Sequence, residues 1–287
     1  MKLLVFGESG QVGRALQGRA GDVALEVRGS KEADFTDPDT CADFVVATDA
    51  DAVINAVAYT AVDKAEEQED LALMVNGTTP GIIAQAAAAR GLPMVHISTD
   101  YVFDGAGVTP FATDHPTGPL GAYGRTKLVG EEAVRAAGGT HAILRTSWVV
   151  SAHGQNFVKT MLRLGSERER LTIVADQIGG PTCAAHIADA CIEIAGQLLQ
   201  DASKAGTYHF SGGPDVSWAD FARHIFAQSG TDCDVTDMPS SDYPTPAQRP
   251  FNSRMDNKTT QTTFGIARPD WRKGLIDILT DLGALKT

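Results

Sequence analysis

Five short apolar or β-branched runs recur through the first 150 residues: KLLVF (2–6), VALEV (23–27), AVIN (52–55), MVHIS (94–98) and HAILRT (141–146). Between them lie segments rich in Ala, Leu and Gln with helical periodicity, such as LALMVNGTTPGIIAQAAAARG (71–91). Strand–helix alternation of this kind predicts an α/β fold, a parallel sheet doubly wound with helices on both faces.

After about residue 150 the alternation loosens. Helices are expected over 155–165, 184–199 and 217–229. The stretch VSWADFARHIFAQSG puts Trp218, Phe221, Ala222, Ile225 and Phe226 on one face, with Ser217 as N-cap and Gly230 as the stop. Residues 239–254, PSSDYPTPAQRPFNSR, hold four prolines and are expected as loop or extended chain. The expected organisation is a nucleotide-cofactor-binding domain over 1–150 and a smaller α/β, mainly substrate-binding region over 151–287. No clean linker separates them, so the chain is free to cross between the two and the ligand site falls in the cleft where they meet.

A chain of 287 residues has room for one large domain or two modest ones. No apolar run approaches the roughly 20 residues that span a bilayer, and MKLLVFGESG reads as a first strand rather than a signal peptide. A cytoplasmic protein is expected. The four cysteines lack zinc-finger spacing and are expected as free thiols. A net charge of −12 argues against nucleic acid or anionic membrane as partners. The charge is uneven: residues 249–273 carry +4 against −16 elsewhere, which suits either a bound anion such as phosphate or a solvated basic turn.

The first strand runs directly into VFGESGQVG, which places Gly7, Gly10 and Gly13 between a strand and a helix. Glycine there permits a tight turn, lets backbone N–H groups approach a pyrophosphate, and allows close helix–strand packing. The G-x-x-G-x-x-G spacing points to a dinucleotide cofactor in a Rossmann-type domain. Arg28 stands at the end of the second strand, where NAD binders carry an acidic residue. A cation there suits a 2′-phosphate, hence NADPH, with NADH as the alternative.

The stretch GAYGRTKLVGEE (121–132) sets Tyr123 and Lys127 four residues apart, on one face of a helix. Gly124 and Gly130 lie inside that helix, each costing about 1 kcal/mol relative to alanine, a cost tolerated where a neighbour or ligand presses close. An ammonium within about 5 Å of a phenol favours the phenolate, so Lys127 is expected to lower the Tyr123 pKa toward neutrality and make it an acid–base catalyst. Ser98 and Thr99 end the fourth strand, at the sheet edge where ligands bind, and a hydroxyl there can donate to a developing oxyanion.

These motifs together resemble the extended short-chain dehydrogenase/reductase superfamily and, within it, the dTDP-4-dehydrorhamnose reductases. The resemblance is carried by FGESGQVG, NAVAYTAVDKAE (55–66), VNGTTP (75–80), STDYVFDG (98–105), YGRTK (123–127), LRTSWV (144–149), DQIGGPT (176–182), RPFNSRMD (249–256) and FGI with DWRKGL (264–275). It implies NAD(P)H-dependent reduction of the C4 ketone of a dTDP-4-dehydro-6-deoxy sugar, giving dTDP-L-rhamnose. By the same resemblance Gly10, Gln11 and Val12 hold the cofactor pyrophosphate, Asp34 and Phe35 lie by the adenine, and Val57, Ala58 and Thr60 line the cofactor at the sheet edge. Thr99, Tyr123 and Lys127 become the catalytic trio, with Lys127 also bonding the nicotinamide ribose. Asp100, Tyr101 and Trp148 face the sugar nucleotide, and Arg249 and Arg254 suit its diphosphate.

Some members of that family dimerise through a magnesium ion held by glutamates, one of them in the helix after the glycine loop. Here that position is Ala15, so no metal is expected and a homodimer is left open. Two rival readings stand beside the reductase. One is a nucleotide-sugar epimerase or dehydratase of the same superfamily. The other is a non-catalytic regulatory subunit resembling that of methionine adenosyltransferase.

Overall fold

The computed structural model describes residues 1–286. In the first half, β1 (Lys2–Phe6), α1 (Gln11–Arg19), β2 (Ala24–Arg28), α2 (Pro38–Ala47) and β3 (Ala52–Asn55) alternate as the apolar runs indicate. Next come α3 (Val62–Ala65), α4 (Glu69–Leu73), a π-helical turn at Met74–Thr78, and α5 (Thr79–Ala89). β4 (Met94–Thr99), α6 (Ala122–Ala136) and β5 (His141–Thr146) complete this half.

The second half contains β6 (Val149–Val150), α7 (Phe157–Glu167), β7 (Arg170–Val174), β8 (Ile178–Gly179), β9 (Thr182–Cys183), α8 (Ala184–Gln200) and β10 (Gly206–His209). It ends with β11 (Val216–Ser217), α9 (Trp218–Ser229), β12 (Asp234–Met238), β13 (Asn252–Ser253), α10 (Lys258–Phe264) and α11 (Trp271–Asp281).

Six strands form one parallel sheet in the order β10-β5-β4-β3-β1-β2. Strand side chains alternate between faces and both are covered here, which explains why β1 is apolar from Leu3 to Phe6. Leu3 and Val5 pack with Leu16 of α1 and Ile187 and Ile194 of α8 on one face. Leu4 and Phe6 pack with Val45 of α2, Ile83 of α5 and Val134 of α6 on the other. The strand order reverses between β1 and β3, the place above the carboxyl ends where open parallel sheets bind ligands. Gly7, Thr99 and Trp148 all follow or end strands at that edge.

The second core gathers Val158 and Met161 of α7, Leu171 and Ile173 of β7, Phe221 and Ile225 of α9, and Trp271 of α11. Helix α9 is built as its spacing indicates: Ser217 accepts from the Asp220 N–H at 3.0 Å, and Gly230 takes the left-handed cap conformation at φ 69°. The chain then crosses back, because α8 packs against α1 and β10 bonds to β5.

The expected helix over 71–91 is broken into three pieces by the π-turn. The extra residue per turn brings Asn76 inward, where its side chain accepts from the Tyr59 N–H (2.8 Å) and donates to the Tyr59 carbonyl (3.2 Å) and to Thr126 Oγ1 (3.1 Å). One buried amide thus joins the loop after β3 to α6.

Candidate active site

Helix α6 carries both Tyr123 and Lys127. Its two internal glycines have a visible reason. A Cβ at Gly124 would overlap the Tyr101 carbonyl oxygen, and one at Gly130 would overlap the Asn76 carbonyl oxygen. The helix is pressed against the turn after β4 on one side and the π-turn on the other, as the sequence reading anticipated. Its N-cap, Gly121, offers no side chain, and Glu66 from the end of α3 accepts from the Ala122 N–H instead, at 2.8 Å.

Strand β4 ends at Thr99, whose Oγ1 accepts from the Tyr101 N–H and donates to Asp100 Oδ1, each at 3.2 Å. Asp100 is 3% exposed, and its Oδ2 finds no partner among the described residues. Burial pushes this carboxyl up to about 6, against the pull of Ser253 and Thr99. The Tyr101 ring meets the Tyr123 ring edge-on, with centroids 5.4 Å apart. Thr99, Asp100, Tyr101 and Tyr123 therefore form one contiguous cluster.

The electrostatics of the pair differ from the expectation. Tyr123 is pushed up to about 12, chiefly by burial and also by Asp100, with the Thr99 hydroxyl pulling the other way. Lys127 does not lower it. The long lysine stem carries Nζ to the Ile97 carbonyl oxygen at 2.7 Å and to His96 Nε2 at 3.4 Å. Lys127 is 1% exposed, and burial brings its own pKa down to about 8, opposed by Glu131 one turn on. Glu131 is fully buried and held by Arg145 through two bonds (2.8 and 2.7 Å) and by Ser98 (2.7 Å). That triple hold keeps its carboxyl below the usual range despite desolvation.

The glycine loop fits a dinucleotide. Gly7 has φ 113°, a left-handed conformation that favours glycine, and a Cβ at Gly13 would overlap the Gly7 carbonyl oxygen. Gly10 has open space above it, where a side chain would project into the cradle. As N-cap of α1 it makes no side-chain bond, and the first turn holds no acidic residue, so no side chain there competes with an anion for the N–H groups. Val12 is a core residue and presents only its backbone. The Gln11 side chain is also committed: its Oε1 accepts from Ser151 (2.8 Å) and Asn156 (3.0 Å), and its Nε2 donates to the Val149 carbonyl (3.3 Å).

Other expected cofactor residues sit along the same edge. Arg28 bonds Glu26 at 2.7 Å, lies 3.5 Å from Glu32, and stacks over Phe44, while its buried Nε has no partner among the described residues. Asp34 is exposed and accepts from Thr36. The Phe35 ring packs on Phe6 in the core, so it presents backbone rather than ring. Val57 and Ala58 are half-buried and Thr60 exposed, directly after β3 at the strand-order reversal.

A cleft of about 1020 Å³ begins at Tyr101, Asp63 and Arg249 and extends between α7 and β7 on one side and the proline-rich strap on the other. Arg249 lines it but is paired with Asp63 at 2.8 Å, and Arg254 is turned to Asn252 Oδ1 (3.0 Å) rather than into the cleft. Sequence reasoning missed Arg168 and Arg170, which do line it. Trp148 adopts φ 48°, uncommon outside glycine, and stacks flat on Trp218 at 3.5 Å between ring centroids. Trp218 lines the cleft, which it joins to Trp148. Asp63, Glu66, Asn76 and His96 were also missed. The first two stand in the quoted NAVAYTAVDKAE, where their acidic character was the available signal.

A family model described as the RmlD substrate binding domain matches residues 1–284. A dTDP-4-dehydrorhamnose reductase from Sinorhizobium fredii is 43% identical over 280 residues, which cover 95% of each chain. A crystal structure of a dTDP-4-dehydrorhamnose reductase from Clostridium acetobutylicum aligns with a TM-score of 0.92 at 36% identity, covering 99% of this chain and 100% of that one. One from Bacillus anthracis, in complex with NADP, aligns with a TM-score of 0.90 at 32% identity over 98% and 99% of the two chains. By family model, sequence and fold, the chain belongs to the dTDP-4-dehydrorhamnose reductase family.

Proposed function

We infer that this protein reduces the C4 ketone of dTDP-4-dehydro-6-deoxy-L-mannose to give dTDP-L-rhamnose, using NADPH in preference to NADH. The observation that carries this reading is the position of Tyr123: its ring meets that of Tyr101, which lines the large cleft, and its hydroxyl faces Thr99 at the end of β4.

A reduction needs a proton donor, and a phenol raised to about 12 keeps its proton until a strong base forms next to it. When bound, a reduced nicotinamide would supply the hydride to C4. Negative charge then develops on the C4 oxygen, and the resulting alkoxide is a stronger base than phenolate. Tyr123 gives its proton to that oxygen, a transfer that runs downhill. Thr99 rotates its hydroxyl from Asp100 toward the same oxygen and shares the developing charge. Lys127 would bond the nicotinamide ribose, and Asp100 accepts from a sugar hydroxyl through its free Oδ2.

The N–H groups of Gln11, Val12 and Gly13 hold the cofactor pyrophosphate, with Val57, Ala58 and Thr60 along its path. Arg28 supports the NADPH preference, because its guanidinium matches a 2′-phosphate; Glu26 and Glu32 beside it weaken that hold and leave NADH usable. In the cleft, Arg249, Arg168 and Arg170 answer the diphosphate and Trp218 offers an aromatic face to the base.

The direct test supplies NADPH and dTDP-4-dehydro-6-deoxy-L-mannose. NADPH should be consumed one-for-one with sugar converted, and the product should have the rhamnose configuration. Interconversion of sugars without net NADPH oxidation would contradict the reading.

A further inference from the structure

Asn55 and His96 are register partners on β3 and β4, and both are fully buried behind Lys127. The Val57 N–H donates to Asn55 Oδ1 at 3.0 Å, which settles the orientation of that amide. Its Nδ2 therefore faces His96 Nδ1, at 3.1 Å. An amide nitrogen only donates, so Nδ1 must accept and carry no proton. A neutral imidazole with a bare Nδ1 holds its hydrogen on Nε2. The charged ring is excluded, because a second N–H would oppose the Asn55 amide, and because burial, Lys127 and His141 hold His96 well below its usual pKa.

His96 Nε2 lies 3.4 Å from Lys127 Nζ. An ammonium has only donors, and facing it with another N–H is unfavourable. A neutral amine has a lone pair that accepts that hydrogen. The remaining charged neighbours are accounted for on each side. Glu131 of α6 favours the ammonium but is already bound by Arg145 of β5, by Arg135 and by Ser98. Glu66 and Glu69 are engaged with Arg125 at the outer face of α6. Asp100 is bonded by Thr99 in the turn after β4, and Tyr123 precedes Lys127 by one turn.

We propose that Asn55 and His96 are positioning residues that set the charge of Lys127: Asn55 fixes the His96 tautomer, and His96 presents its Nε2 proton to the lysine nitrogen, favouring the amine. The catalytic role given to Lys127 above is assumed. A lysine whose charge is set in this way can give up and regain a proton during turnover, which a lysine fixed as ammonium cannot do cheaply.

The test is nuclear magnetic resonance on the full chain. Imidazole ¹⁵N shifts of the wild type should report a protonated Nε2 and a bare Nδ1 for His96; the opposite tautomer overturns the proposal even if no variant folds. Titration of the Lys127 ¹³Cε signal, assigned by its loss in Lys127→Met, should show the midpoint rising by about one pH unit or more in His96→Leu. His96→Gln, whose amide can present an N–H to the same nitrogen, should restore most of the difference. An unchanged or lowered midpoint in folded His96→Leu overturns the proposal. Turnover of Lys127→Met separates the two claims: full activity there removes the catalytic reading of Lys127, whereas an inactive variant alongside an unshifted His96→Leu midpoint overturns the tuning alone.

Discussion

The Glu66 carboxylate accepts a hydrogen bond from the Ala122 N–H at 2.8 Å, one residue before Tyr123. The first turn of α6 is thus held by a side chain 56 positions away, while the N-cap Gly121 supplies none. Loss of a helix cap costs about 1 kcal/mol, and here the turn it holds carries the proton donor. Glu66→Ala is expected to lower stability by about that amount and turnover by roughly tenfold. Glu66→Gln keeps an acceptor oxygen and should recover most of both, as thermal melts and kcat measurements on the pair will report.

Lys127 burdens the fold it serves. Its pKa falls from 10.5 to about 8 on folding, so below pH 8 the native state carries a buried ammonium that the unfolded chain solvates freely. The destabilisation is fully present below about pH 8 and fades as pH rises from there toward 10.5. Lys127→Met should therefore be more stable than wild type at pH 7, by about 1–3 kcal/mol, and catalytically crippled. Denaturant unfolding at pH 7 and pH 10 checks the sign, since the gain should shrink at the higher pH.

The Glu131–Arg145 pair is buried on both sides, at 0% and 3% side-chain exposure. Removing one partner strands the other charge, which costs about 3–5 kcal/mol. Arg145→Met is expected to lose that much by urea titration, and Glu131→Gln with Arg145→Met to recover part of it. Because the Glu131 pKa is lowered on folding, its contribution is present above about pH 4.5 and lost as pH falls through the folded value. The acid limb of unfolding should accordingly flatten in the double variant.

Two glycines of the cradle should fail in opposite ways. Gly10 has no neighbour that a Cβ would strike, so Gly10→Val should melt within a few degrees of wild type while cofactor affinity drops by about a hundredfold, the side chain filling the phosphate site. Gly13→Ala would overlap Gly7 and should lose stability instead. Calorimetry and NADPH titration separate them.

Arg28 offers a graded test of cofactor choice. Arg28→Ala should reduce kcat/KM with NADPH by roughly tenfold, the worth of one charge-assisted bond, while leaving NADH nearly unchanged. A parallel loss with both cofactors would show that Arg28 only braces Glu26 and Phe44.

Local signals were legible in the sequence because their causes are local. The alternating apolar runs, the cap and stop of α9, and the glycines of the first turn each announce themselves within a dozen residues. The Tyr123–Lys127 spacing was equally visible and its electrostatics were not. A helix period places two Cβ atoms on one face, but it says nothing of where a four-carbon stem ends. Here that stem ends at Ile97 and His96. The pairing of Arg249 with Asp63, the hold of Glu66 on α6 and the link through Asn76 all join residues far apart in the chain. Only the folded chain brings them together. Arg254 shows the same limit: a basic residue in the right segment, directed by its own β13 neighbour Asn252 rather than into the cleft.

Tyr123→Phe tests the central claim most directly, since it removes one hydroxyl and leaves the ring that meets Tyr101. Single-turnover reduction of the dTDP-4-keto sugar should slow by about 10² to 10⁴, with NADPH affinity within about twofold of wild type. Reduction at the wild-type rate would contradict the account.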